Sequence, residues 1–507
     1  MAGLDHSKMD LRKPMEKINK IYGPPGTGKT FRLIRRVKAY ERIGVPLHKI
    51  GYFAFTRKAA NEAKDRMLER NPELDKKDLI YFQTLHSFAF HTLGMSEESV
   101  LQPVHYEQIG KELNLRVTDT GDESGYLNFN SEYFKLINKA KVKNISPEEE
   151  FNTNEWSNEI DYETLGHIYL NYNHFKGDNL YDFNDMITKF VNEKEKCKEF
   201  DVVFIDEAQD LSPIQWMMFD VLKEKSKDIY LAGDDDQAIF AWAGADVKRF
   251  LNEPAEEVVL PYSNRVPKNI QELSNVIVSR IETRKEKKYF AKKGSPGNVE
   301  FIYNIEHIDL TKNNWLILTR TTYRSDEISK QLRSNNLYFK DRYGKSYNTR
   351  LYKAILNFNE LCKGKIITLA DAREIHEYLP DNPFFKIKDN KTHYSMDDFG
   401  YGKDALWYDL FTRADQDECF YIRTMLSNGD KLSNLPRIEV STIHAAKGGE
   451  CDNVILVLDN ARKIRQSVEN NIEKADEEHR VWYVGSTRAK ENLYLLKPKK
   501  ERYGYSL

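Results

Sequence analysis

The sequence predicts an α/β protein built on two mainly parallel sheets, each carrying a mainly helical insertion. Short apolar strands recur, each followed by a polar turn and a helical pattern, which is the arrangement of parallel α/β layers. "KIGYFAFTRKAA", "LIYFQTLHSF", "DVVFIDEAQD" and "DIYLAGDDDQ" carry the pattern in the first half, and "NVEFIYN", "NWLILTRT", "RIEVSTIHAAKG", "NVILVLDN" and "NLYLLKP" in the second. Two stretches break the rhythm, one Asn-, Glu- and Tyr-rich from about Gly94 to Leu180, the other mixed and polar from about Leu351 to Pro436. The expected organisation is a first domain from 1–93 and 181–260 with an insertion at 94–180. A second domain from 261–350 and 437–507 carries a smaller insertion at 351–436.

The first element holds the clearest chemistry. In "IYGPPGTGKTF" a strand residue runs into Gly23, Pro24, Pro25, Gly26, Thr27, Gly28, Lys29 and Thr30. The spacing fits GxxxxGK[ST], in which backbone N–H groups wrap phosphates, the lysine reaches the outer ones and the hydroxyl ligates magnesium. Its partner is "DVVFIDEAQD", where an apolar strand ends in Asp206 and Glu207. An acid at the end of such a strand can hold the metal that bridges nucleotide phosphates, and an adjacent glutamate can deprotonate a water. Hydrolysis, rather than nucleotide storage, is the chemistry this pair suggests.

A third loop, "GDDDQAIFAWAGAD", adds Gln237, an amide able to contact a terminal phosphate and a water together. Trp242 behind it reads either as core or as a platform for an unpaired base.

Composition bounds the rest. Lys plus Arg is 77 against 79 for Asp plus Glu, so a nucleic-acid partner would need a local groove rather than bulk positive charge. Cys197, Cys362, Cys419 and Cys451 form no CxxC pair, which speaks against a disulfide framework or zinc site and fits a reducing compartment. The N-terminal "MAGLDHSKMDLRKPMEK" has no signal-peptide core, and runs such as "VILVL" fall short of a membrane span. A soluble cytoplasmic protein is expected. The charged run "RIETRKEKKYFAKKG" reads as a solvated face or as a basic strip beside a nucleic-acid track. His86 and His91, five apart, do not share a helical face as a zinc pair would.

Taken in order, these blocks resemble the UvrD/Rep-like superfamily 1 helicases. "YGPPGTGKT", "FAFTRKAA", "QTLHSFAF", "IDEAQD" and "GDDDQAIFAWAGAD" resemble motifs I, Ia, Ib, II and III; "YSNRVPKNI", "STIHAAKGGE" and "RVWYVGSTRAK" resemble IV, V and VI. The resemblance spans most of the chain outside the insertions and implies two RecA-like P-loop NTPase domains with ATP and Mg2+ in the cleft between them. It places Lys29 and Thr30 on phosphate and metal, Asp206 on the metal, Glu207 as general base and Gln237 as phosphate sensor. Arg265 and Arg488 take the positions of arginine fingers reaching from the second domain, and Glu450 that of a glutamate near the ribose, or simply a helix-start acid. Phe55, Thr56, Arg57, Thr84, His86, Trp242, Thr442 and His444 fall in blocks that line the family's single-strand path; each could instead support packing.

Three departures from the family stand out. The first glutamine is Gln83, so the adenine-reading glutamine upstream of the P-loop is missing. Asn264 replaces the motif IV aromatic, leaving Tyr22 or its backbone as a substitute reader of the base, and Ala243 replaces the arginine after the motif III tryptophan. The implied activity is an ATP-driven 3′ to 5′ single-stranded DNA translocase and helicase acting on single-stranded and tailed duplex DNA. The alternatives are a translocase that clears proteins from DNA without unwinding it, an RNA-directed motor, and a nucleotide-gated DNA-binding module without turnover.

Overall fold

The computed structural model describes residues 17–117, 129–153, 156, 160–381, 387, 390–498 and 500–507. The N-terminal stretch in which the sequence predicts no signal peptide lies, up to residue 16, outside the described residues. Two compact units form: Met1–Pro296 with Ser467–Thr487, and Gly297–Gln466 with Arg488–Leu507. The first therefore takes in residues beyond 260 and a late segment that the sequence assigned to the second domain.

In the first unit, β1 (Ile18–Tyr22), β2 (Ile50–Ala54), β3 (Phe82–Thr84), β4 (Phe200–Asp206), β5 (Ser226–Gly233) and β6 (Glu256–Val259) form one parallel sheet in the order β3-β2-β4-β5-β1-β6. Both faces are covered, so central strands read as continuous apolar runs. Alternate residues of β4 divide between two cores: Val203 and Ile205 join Phe53, Phe88, Phe190, Phe219 and Leu231, while Val202 and Phe204 join Leu33, Val37, Tyr52, Phe82 and Tyr230. β6, "EEVV", is an exposed edge and lacks the apolar run that betrays its neighbours.

The topology fixes what meets what. β5 lies between β4 and β1, with Ile205 opposite Leu231 and Gly233 opposite Tyr22. The carboxyl ends of β1, β4 and β5, which carry the P-loop, the Asp206–Glu207 pair and the Gln237 loop, therefore lie side by side. Ligands of open α/β sheets bind at this end of the strands.

The first insertion has its own core of Tyr106, Phe129, Phe134, Leu136, Ile168 and Tyr172. A buried ion cluster fastens its base: Lys141 Nζ binds Asp182 and lies 2.5 Å from Asp185, Lys176 Nζ donates to Asp185 at 2.7 Å, and the Tyr172 hydroxyl donates to Asp182 at 2.7 Å. Asp182 also caps the helix Phe183–Asn192, accepting from the Asp185 N–H.

In the second unit, β7 (Asn298–Ile302), β8 (Trp315–Thr319), β9 (Phe339–Asp341), β10 (Gly344–Lys345), β11 (Ile367–Thr368), β12 (His393–Tyr394), β13 (Ile438–Thr442), β14 (Cys451–Val457) and β15 (Ala489–Leu496) occur in chain order. Seven form a sheet in the order β10-β9-β13-β8-β14-β15-β7, parallel except for the β9–β10 pair. β11 and β12 pair separately within the smaller insertion, whose core includes Leu351, Ile355, Phe358, Phe399, Phe411 and Ile422. Among the described residues no helix is long and apolar enough to cross a membrane.

The charged run keeps much of its solvated-face reading, with Glu282, Glu286, Lys288 and Lys293 exposed, and departs from it at two cations. Lys285 is exposed, but the Lys287 side chain is only 2% exposed and Arg284 is largely covered; both pair with buried acids of the Gln237 loop.

Candidate active site

The P-loop is shaped by glycines where no side chain fits. Gly26 and Gly28 have φ of 73° and 81°, the left-handed region that favours glycine, and a Cβ on Gly23 would lie 1.9 Å from Lys29 Cγ. The Gly23 N–H donates to Gly233 O at 2.9 Å, tying the loop to the end of β5. Gly28 starts the helix Lys29–Arg42, placing its N-terminal N–H groups at the cradle. Lys29 Nζ donates to Gly23 O at 3.1 Å and lies 3.7 Å from Glu207.

Asp206 is buried at the end of β4 and accepts from the Thr30 hydroxyl at 2.7 Å and the Tyr52 hydroxyl at 2.8 Å. Burial first, and then the neighbouring Glu207, push its carboxyl up to about 6 against the pull of Thr30, Lys29 and Tyr52. An acid so placed gains from a cation. The Thr30 and Asp206 oxygens are hard donors suited to a small divalent ion, so the residues fit the metal that the P-loop implies.

Glu207 has φ of 55°, a left-handed conformation uncommon outside glycine and concentrated at functional sites. Its carboxylate accepts from Gln209 Nε2 at 2.8 Å, and Gln209 Oε1 accepts from the Asp234 N–H at 3.0 Å. Fully buried Gln209 thus joins the acid pair to the Gln237 loop, a role not assigned from sequence. Its signal was present in "DEAQD": an amide among acids, able to donate and accept at once. Gln237 Nε2 donates to Asp234 Oδ2 at 2.6 Å.

Arg265 departs from its expected reach across from the second domain, because it lies in the first unit against the P-loop. A Cβ on Gly26 would meet Arg265 Cβ at 2.3 Å, and the Asn264 N–H donates to Gly26 O at 2.9 Å. Ser263 locks the turn: its hydroxyl donates to Pro25 O at 2.7 Å and accepts from the Arg265 and Val266 N–H groups. Tyr22 is unsuited to reading a base, being fully buried, edge-on to Phe250 and bonded through its hydroxyl to Glu257.

The strand-facing candidates divide into two kinds. Thr56 and Thr84 are helix caps, accepting from the N–H groups of Ala59 and Ser87. Phe55 is buried and stacks on Phe240 with ring centroids 5.5 Å apart. Phe240 in turn meets Trp242 edge-on, and Trp242 is 45% exposed. The exposed end of this aromatic series is Trp242, not Phe55. Arg57 is exposed. His86 packs edge-on against Phe183, and burial together with Arg57 pushes its pKa down to about 4, leaving the ring neutral near pH 7.

In the second unit Arg488 is buried in the turn just before β15, with Nη1 3.3 Å from Gly449 O and its own carbonyl accepting from the Cys451 N–H. Glu450 is exposed, 4.0 Å from Lys490, and precedes strand β14, so the helix-start reading of this acid does not hold. Thr442 Oγ1 accepts from the Ala445 N–H, and His444 follows it in the same turn.

Comparison with known proteins meets this geometry. The chain is 23% identical to the ATP-dependent DNA helicase PcrA of Leuconostoc citreum over 426 residues, 75% of this chain and 55% of that protein. It is 26% identical to PcrA proteins of Staphylococcus epidermidis over 296 residues and Staphylococcus aureus over 293, in each case 53% of this chain and 38% of the relative. The chain thus spans about half or less of the length of the relatives it matches. The UvrD/REP helicase N-terminal domain matches residues 5–256 and the UvrD-like helicase C-terminal domain residues 418–500. With the P-loop, the acid pair and the Gln237 loop on adjacent strand ends of one sheet and a second parallel sheet following, the chain belongs to the UvrD/REP helicase family.

Proposed function

We propose that the chain is an ATP-driven DNA motor that translocates 3′ to 5′ along single strands and separates tailed duplexes. One observation carries the reading: Lys29, Thr30, Asp206, Glu207 and Gln237 meet at the carboxyl ends of β1, β4 and β5. The P-loop N–H groups and Lys29 bind the phosphates, and Thr30 with Asp206 would hold Mg2+. When bound, that ion neutralises charge on the phosphate oxygens. Glu207 takes a proton from the attacking water, and Gln209 holds its carboxylate in place. Gln237 reads the terminal phosphate. Arg265 beside the cradle supplies a fork-shaped cation for charge on the equatorial oxygens, a role that the family resemblance gives to Arg488 as well. Trp242 offers its exposed face to a base, a grip that is tolerant of sequence.

A second reading, a translocase that clears proteins without unwinding, is favoured by Ala243, whose methyl group makes no polar link between nucleotide and strand sites. Steady-state ATP hydrolysis with and without a single-stranded DNA oligonucleotide, followed by strand displacement on duplexes with 3′ or 5′ tails, separates the readings. Stimulation by DNA with displacement only from 3′ tails is expected. Stimulation without displacement selects the clearing translocase; stimulation by RNA alone selects an RNA motor; no turnover selects the binding module.

A further inference from the structure

The Gln237 loop contains three consecutive acids, Asp234, Asp235 and Asp236, each no more than 1% exposed. Three adjacent buried carboxylates are costly unless each is paired. Their main partner comes from about 50 residues further on. Lys287 Nζ lies 3.3 Å from Asp234 Oδ1, 2.5 Å from Asp235 Oδ1 and 2.8 Å from Asp236 Oδ2. Arg284 forks onto Asp236 with both bonds made, at 2.8 and 2.7 Å, and the Lys285 N–H donates to Asp235 Oδ2 at 2.8 Å.

The segment that delivers these cations is itself held. Asp476, on the helix Ile472–Ser486, accepts from the N–H groups of Glu282 and Thr283 at 2.8 Å each. Arg480 on the same helix donates to Thr283 O at 2.5 Å and to Asp235 O at 2.8 Å. Loop, segment and helix form one hydrogen-bonded unit.

What this unit holds is the amide of Gln237. A glutamine side chain has two flips that differ only in which end is donor and which acceptor. Asp234 decides between them: with Lys287 on Oδ1, Oδ2 faces Gln237 and accepts from Nε2 at 2.6 Å. The opposite flip would set Oε1 against a carboxylate oxygen, two acceptors with no proton between them. We propose that Lys287 is a positioning residue for the hydrolytic reaction, fixing the orientation of the Gln237 amide through Asp234. This rests on the motor reading above, in which Gln237 is the phosphate sensor.

The test is a double-mutant cycle on steady-state ATP turnover of the full chain, with Lys29→Ala as the blank. Lys287→Met is expected to lower kcat by roughly tenfold, the scale of one lost transition-state contact, with KM for ATP within about threefold of the parent. Added to Gln237→Ala, it lowers kcat no further, because both changes remove the same contact. Asp234→Asn, which keeps size and shape, repeats the loss should Lys287→Met fail to fold. Lys287→Met and Asp234→Asn turning over within about twofold of the parent, or single losses that multiply in the double variant, overturn the assignment. Absence of any Lys29-dependent turnover in the parent would instead strike the motor reading. Affinity for a non-hydrolysable ATP analogue against ADP then decides: a ratio collapsed by Gln237→Ala and by Lys287→Met alike supports the clamp, and a ratio kept by Lys287→Met removes it.

Discussion

Two ion clusters in the first unit use the same kinds of residue, aspartates against basic side chains, toward different ends. At the base of the insertion, Lys141 and Lys176 meet Asp182 and Asp185, two cations on two acids, and the Asp182 carboxyl, despite burial, is held well below the usual carboxylate range by those lysines. At the strand ends, three acids of the Gln237 loop share Lys287 and Arg284, and burial with Asp236 nearby pushes Asp234 up to about 6 although Lys287 pulls the other way. The first cluster resolves its charges and fastens helices. The second leaves charge in excess beside a phosphate-binding loop, where stability is exchanged for a prepared site.

The largest effects test the second region. Lys29→Ala and Glu207→Gln are expected to lower ATP turnover by about 1,000-fold or more, as loss of a central phosphoryl-transfer group does, with unchanged thermal melting. Glu207→Gln keeps nucleotide binding, measured with a fluorescent analogue. Turnover near that of the parent in either variant would remove the site assignment, and with it the claim that this cluster serves chemistry.

Next comes the first region. Lys141→Met leaves Asp182 and Asp185 with Lys176 alone, and breaking such a buried pair costs roughly 3 kcal/mol or more. Amide exchange in the helices Glu132–Lys143 and Phe183–Asn192 should accelerate accordingly, while ATP turnover per folded molecule stays unchanged. A loss of turnover larger than the loss of folded protein would erase the distinction between the two clusters.

How much of this was legible in the sequence follows from how locally each feature is encoded. The central strands of both sheets and the P-loop are written in contiguous residues, whereas the edge strands β6 and β10 and the short β9 carry no apolar run, and the strand order brings Lys29, Asp206 and Gln237 together once the motifs are placed on strand ends. The run from Arg280 to Gly294 misleads because a lysine looks the same in sequence whether it faces water or three aspartates some 50 residues upstream. Phe55 and Trp242 are both aromatic residues in family blocks, yet only packing against Phe240 shows which is covered. Glu450 fails as a helix-start acid because the following Cys451 begins a strand, paired to β8 and β15 far away in sequence. Arg265 reads as a residue of the second domain by motif order, while the Ser263 hydroxyl ties its turn to Pro25.

The smallest effect sharpens the comparison most, because the two regions should respond to pH with opposite signs. Asp234, at about 6 in the fold and near 3.9 when unfolded, keeps a proton between those values that the unfolded chain has released. Stability of its loop therefore falls as pH rises through that window and is regained on acidification, by an amount on the order of 1 kcal/mol between pH 7.5 and 5. Lys287, Asp236, Lys29 and Asp235 act on it, and Lys287, its own pKa raised despite burial by these acids, stays charged throughout. At the base of the insertion, His86 against Phe183 has its pKa lowered to about 4, from near 6.5 unfolded. Below 6.5 the unfolded chain takes up a proton that the folded ring refuses, so this region loses on the order of 1–2 kcal/mol over the same acidification. Asp182, held low by its lysines, adds its own loss only below about pH 4. Amide exchange of the nucleotide-free protein, corrected for intrinsic rates, should show the amides of Asp236 and Gln237 better protected at pH 5 than at 7.5. The helix Phe183–Asn192 should be less protected at pH 5, and His86→Phe should flatten that response. Protection of the Asp236 and Gln237 amides that falls on acidification would remove the proton assigned to Asp234, and a helix Phe183–Asn192 that keeps its protection would remove the neutral buried His86.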